Sequence, residues 1–178
     1  EILFSAMRIN GITPTEPSTD QEFLRRVTLD LTGRIPTAAE VTSFLADTSS
    51  GKRAALVERL LATPQWVDKW TMFFGDLFGN ATRTTQVVRY ADGRNAFYNW
   101  IKSSLQQNKP YDQMARELIS ATGANSYTQG ELNFMVGGRT TGGPPQDTYD
   151  AQAREVSTTF LGIAHMDCIL CHDGRRHL

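Results

Sequence analysis

Two helix starts are written in full near the beginning of this chain. Thr19-Asp20-Gln21-Glu22 and Thr37-Ala38-Ala39-Glu40 each place a Glu three residues after a Thr. That spacing lets the Thr hydroxyl accept from the N3 amide while the Glu carboxylate reaches back to the Thr amide, so two orphan donors of a helix end are satisfied together. Between the two boxes, Phe23, Leu24, Val27 and Leu31 recur at helical spacing, and Gly33 followed by Pro36 stops the run. A chain punctuated this way is committed to helices early.

The same punctuation continues. Val41, Phe44 and Leu45 follow the second box, and Leu56, Val57, Leu60 and Leu61 form an apolar stripe after Lys52. Thr63-Pro64 reads as an N-cap with Pro at the first helical position. The helix it opens is aromatic, with Trp66, Trp70, Phe73, Phe74, Leu77 and Phe78. Residues 79–93 are polar and turn-like. Phe97, Tyr98, Trp100, Ile101 and Leu105 then predict a helix ended by Asn108-Lys109-Pro110. Another is expected from Tyr111 to Thr122, with Met114, Ala115, Leu118 and Ile119 inward and Gly123 as its stop. Ala124 to Gln146 is glycine-rich, carries Pro144-Pro145, and reads as a long loop of the kind that is usually functional. Tyr149, Ala153, Val156 and Phe160 fall on one face of a last helix. No strand-like alternation persists. The expectation is an all-α fold: a single helical domain over 1–178, about seven helices in an irregular bundle, with a long Gly-rich loop before the C-terminal end.

That C-terminal end holds the chemistry. The only two cysteines stand in Cys168-Ile169-Leu170-Cys171-His172. C-x-x-C-H is the attachment pattern of a c-type haem. Two thiols on one tight turn add across the two vinyl groups of a porphyrin, and the following His becomes the proximal iron ligand. A structural zinc site would need four ligands, and His165 and His177 lie too close to the pair for an ordinary finger. A thioredoxin-like motif would need a βαβ setting, which the pattern lacks. Disulfide or redox use of the pair is the competing reading.

The sixth ligand separates a carrier from a catalyst, since Met raises the potential and saturates the iron, whereas an open position admits small ligands. Five Met are available. Met72 and Met114 sit in core-like stripes, and Met166 is tied too near Cys168. Met135, in the glycine-rich segment, is the leading candidate and Met7 the alternative. Arg139, Arg175 and Arg176 are candidate propionate contacts, with solvated surface charge as the plain alternative for each. Trp66, Trp70 and Phe160 could wall a haem, although core packing explains each as well.

A net charge of −1, from 18 basic and 19 acidic residues, argues against a nucleic-acid partner and gives no support for an anionic membrane surface. No apolar run approaches the ~20 residues of a membrane span. Hydrophobic residues make up 40% of the chain, with three Trp and nine Phe, enough for a real core. Haem c is attached outside the cytoplasm. The expected location is therefore extracytoplasmic, in the periplasm or on the outer face of a membrane. The chain starts at Glu1 and stops six residues after His172, and is expected to be a trimmed piece of a longer exported protein.

Phe23 to Thr37, reading FLRRVTLDLTGRIPT, resembles the opening signature of a domain of unknown function in planctomycete-type cytochrome c proteins. The similarity continues through Lys52-Arg53, Leu56 to Leu61, Trp66 to Phe78, Asn108 to Asp112, and Phe160 to Ile163 followed by the cysteine motif. It spans about residues 18–172. The resemblance implies an exported multi-helix domain, often part of a larger polypeptide, with a haem motif near its end. It implies no particular reaction. The tail Asp173 to Leu178 departs from the acidic, His- and Phe-containing tail that much of the family has. The Leu-Asp-Leu-Thr-Gly core of the signature has a purely structural explanation as helix end, glycine stop and next capping box.

Together these readings predict one covalent haem c in an electron-transfer module, working with a redox partner protein or a membrane-associated complex. Two alternatives stand beside it: a haem enzyme with an open iron, and a structural assembly subunit. With three His in the chain, one assigned to iron, acid–base machinery is thin.

Overall fold

The capping boxes form as written. In the computed structural model, which describes residues 2–81, 90–164 and 166, Thr19 caps α2 (Asp20–Thr32) and Thr37 caps α3 (Ala38–Ala46). In the first box the Thr19 amide donates to Glu22 Oε2 at 2.9 Å, and the Glu22 amide donates to Thr19 Oγ1 at 3.3 Å. The second repeats the pattern at 2.7 and 3.3 Å. Between them Gly33 sits at φ 70°, left-handed, and its amide donates to Leu29 O. An L side chain there would be strained, which is why the signature needs glycine at that point.

The described residues contain nine α-helices, ending in one π-helical turn. They fall into two compact units, Glu1–Trp66 and Val67–Leu178. The first holds α1 (Ile2–Ile9), α2, α3 and α4 (Lys52–Leu61). α2 packs on both α3 and α4. Leu24, Phe44, Leu56 and Leu60 form its buried core, flanked by Phe23, Val27, Leu31 and Val41. Leu61, expected on the same stripe, is 39% exposed.

An ion-pair knot joins the start of α2 to the start of α4. Asp20 accepts from Lys52 at 2.6 Å and from Arg53 at 2.7 Å, and Arg53 also donates to Ser18 O. Hydrogen bonds from Lys52, then Arg53, hold the Asp20 carboxyl below its ordinary 3.8. A depressed carboxylate stabilises the fold above its unfolded-state value and loses that contribution as pH falls through the folded-state value. Asp20→Asn is therefore expected to unfold more readily than wild type at neutral pH. The gap should close as pH drops below 3.8, read as midpoint shifts in thermal melts from pH 7 to 2.5.

α5 (Pro64–Leu77) opens in the last residues of the first unit, with the Trp66 amide donating to Thr63 Oγ1 at 3.3 Å. The second unit continues with α6 (Ala91–Gln106), α7 (Tyr111–Ser120), α8 (Leu132–Gly137) and α9 (Pro145–Val156), then the π turn Ser157–Leu161. Phe78, Phe97, Ile101, Leu105, Met114, Leu118 and Phe134 are its buried hydrophobics.

Four expectations change here. α6 starts at Ala91, inside the stretch read as turn-like. α7 ends at Ser120, before Gly123, with Ser120 Oγ donating back to Arg116 O at 2.7 Å, and Ile119 is 40% exposed. Tyr149 is 62% exposed, and the run from Tyr149 to Phe160 is not one regular α face, since the helix leaves α geometry at Ser157. The largest change is α8, which stands within the segment read as a loop. It has no side-chain cap. Packing against α6 and α7 holds it, with Phe134 5.4 Å from the Phe160 ring and 6.2 Å from Phe78.

Candidate functional site

Cys168, Cys171, His172, Arg175 and Arg176 lie outside the described residues. What is described is the helix that precedes them in the sequence and the segment packed against it.

α8 brings two of the sequence candidates onto one wall. Met135 is half-buried, and with Arg139 it lines a cavity of about 530 Å³. Leu132 and Val136 add apolar surface, and the segment Ala121 to Ser126 also lines the cavity. The volume falls in the range of small-molecule and cofactor sites, ~300–1,000 Å³.

α9 fixes this wall in place. Gln152 Nε2 donates to Met135 O at 3.0 Å. Gly138 lies flat on Gln152: a Cβ there would stand 3.0 Å from Gln152 Cγ and 3.1 Å from its Cα. Four residues earlier on α9, Thr148 Oγ1 accepts from the Thr140 amide at 3.1 Å and pairs with Thr140 O at 3.3 Å. Thr140 Oγ1 in turn donates to Asp147 O at 3.2 Å. The i, i+4 spacing sets Thr148 and Gln152 on one helix face. Arg139 is therefore bracketed by two anchors.

The other sequence candidates are dispersed. Met7 stands on α1 in the first unit. Met114 is 1% exposed and packs in the core, as expected. Met72, also expected in the core, is 60% exposed, because the aromatic run of α5 turns Trp70 and Phe74 rather than Met72 toward their ring partners. Phe160 joins an aromatic cluster with Phe78, Tyr111 and Phe134, at centroid distances of 5.4–6.2 Å. Thr148 and Gln152 went unnoticed in the sequence. Their only signal was their spacing on a helix.

At the cavity Met135 brings a thioether, Leu132 and Val136 apolar surface and Arg139 a cation, beside the polar side chains of Thr122, Asn125, Ser126, Thr148 and Gln152. The carboxylates with displaced pKa values serve other purposes. Asp20, Glu22, Glu40, Asp47 and Glu117 are all lowered, each by ion pairs or by helix and turn hydrogen bonds. Among the described residues, no three His, Cys, Asp or Glu side chains gather as a metal cluster, and no helix is long and apolar enough to cross a membrane.

No curated protein and no solved structure matches the chain. A family model does, and it covers almost the whole length: with residues 1–176 matching PSCyt2, described as a protein of unknown function (DUF1549), the chain belongs to that family.

Proposed function

We propose that this chain is an extracytoplasmic monohaem c-type cytochrome domain acting in electron transfer, as a module or subunit of a larger redox complex. The observation that carries the reading is the sequence Cys168-Ile169-Leu170-Cys171-His172. When bound, a haem supplies a one-electron couple. Cys168 and Cys171 would hold it through thioether bonds, each thiol adding its S–H across one vinyl group. His172 would bind the iron, with Met135 the candidate for its remaining ligand and Arg139 a candidate propionate partner. Arg175 is a further candidate for that role.

One feature favours a carrier over a catalyst: a Met on the cavity wall would suit a saturated iron.

The test is the intact mass and visible spectrum of the chain exported in a host that matures c-type cytochromes. One covalently added porphyrin and a sharp α-band on reduction are expected. A chain without covalent haem would refute the reading. A high-spin ferric spectrum with peroxide turnover would replace it with the enzyme reading.

A further inference from the structure

α1 buries none of its residues. Ile2, Leu3, Phe4 and Ile9 are each more than half exposed, and at about 100° per residue they spread over more than half of the helix circumference. A helix that is apolar on several sides belongs inside a core or a groove, not against a flat face. The hydrogen bonds of Ile2 to Ile12 stay within that stretch, and among the described residues Thr13 to Pro17 make none. α1 is therefore tethered to α2 rather than seated on the unit.

The same unit holds a complementary surface. α2 packs on α3 and α4, and a cavity of about 500 Å³ is lined by residues of α3, of α4 and of the turn between them. Phe44 and Leu56 give it apolar surface, and the small Ala39 and Ala55 keep it open. Glu40, Asp47 and Arg59 also line it, while the Lys52 ammonium is taken by Asp20 at 2.6 Å. Hydrogen bonds from the Thr37 and Ser49 amides hold the Glu40 and Asp47 carboxyls below their ordinary values, so both are anionic at neutral pH. α1 brings Arg8 and no acidic residue. α1 of the same chain contributes nothing to the lining.

We infer that the groove between α3 and α4 receives α1 of a second copy of this chain, so that two protomers exchange their first helices. Exchange of an identical element is a low-cost route to a closed two-fold dimer, since each contact is repeated by symmetry. It buries two helices and two grooves, four apolar surfaces of roughly a few hundred Å² each. Together they reach the ~1,200–2,000 Å² of a specific interface. The stretch holding Pro14 and Pro17 supplies the extended connection that an exchanged helix needs. Nothing in this depends on the cysteine motif.

The test is the mass of the full chain by sedimentation equilibrium over a wide concentration range, comparing wild type with Phe4→Glu, Ile9→Glu and Ala55→Glu. All three positions are exposed, so circular dichroism should show wild-type helix content in each. Wild type should dimerise as concentration rises. Each variant should weaken the dimer at least about tenfold, the worth of one buried apolar side chain. An equimolar mixture of Phe4→Glu and Ala55→Glu regains one intact helix–groove contact and should associate more tightly than either alone. A wild type that stays monomeric at every concentration overturns the inference and leaves α1 to its own chain or to another partner. A dimer broken by Phe4→Glu but kept by Ala55→Glu overturns it in favour of α1 pairing with α1. A dimer that survives all three variants overturns it, as does a mixture no tighter than its components.

Discussion

Phe97→Ala is expected to destabilise the second unit by about 3–5 kcal/mol, the cost of emptying a fully buried aromatic site. Phe97 is 0% exposed, stacks on Phe78 at 6.4 Å and meets Trp100 at 6.2 Å. Its helix neighbours Ile101 and Leu105 lie in the same core, so the walls of the cavity belong to a helix that cannot collapse inward. Tyr149→Ala is the control: at 62% exposed, it should stay within about 0.5 kcal/mol of wild type. Urea unfolding followed by tryptophan fluorescence gives both values, provided the slope m is unchanged. A loss below about 1.5 kcal/mol for Phe97→Ala would mean that the aromatic cluster is not a packed core.

The helices that the sequence announced were those with local signals. The Thr19 and Thr37 boxes, the Gly33 stop and the Thr63-Pro64 start depend only on residues within a few positions, and all four appear in the structure. The Lys52-Arg53 pair is different. It belongs to the family-like phrase, yet its partner Asp20 is more than thirty residues away, and no periodicity points to it. α8 was hidden for a related reason. Its glycine-rich surroundings and absent cap give no local signal, while the burial of Phe134 among rings depends on the tertiary fold.

The same division runs through the candidate site. The cysteine motif is local chemistry and could be read directly. That Met135 and Arg139 share a cavity could be guessed only from their closeness in a loop. In the structure they do share it, as part of a helix and its exit held by α9 rather than of a long loop. The anchors Thr148 and Gln152 look like ordinary exposed-face residues in sequence, because a polar side chain shows its purpose only once its partner is in place.

Gly130→Ala is expected to cost about 3 kcal/mol, at the upper end of overpacking effects. Gly130 has no left-handed φ, so its value lies in space rather than in backbone freedom. An added Cβ would run into the carbonyl oxygen of Ala96 and stand 2.6 Å from Trp100 Cβ, both on α6. Neither is the tip of a flexible side chain. Relief therefore requires α6 and the entry to α8 to separate, which also strains the Asn133 bond to Gly130 O at 3.1 Å. Gly51→Ala meets nothing within 4 Å and should be near neutral. Gly123→Ala is intermediate. Its clash is with the Gln129 side chain, which can swing away at the loss of its bonds to the Ala124 and Asn125 amides, about 1 kcal/mol. The order Gly130, Gly123, Gly51 in urea midpoints is the expected result, and equal effects at Gly130 and Gly51 would show that α8 is not seated on α6. Because Met135 rides on α8, a displaced α8 should also move the cavity wall and loosen the Gln152 hydrogen bond to Met135 O.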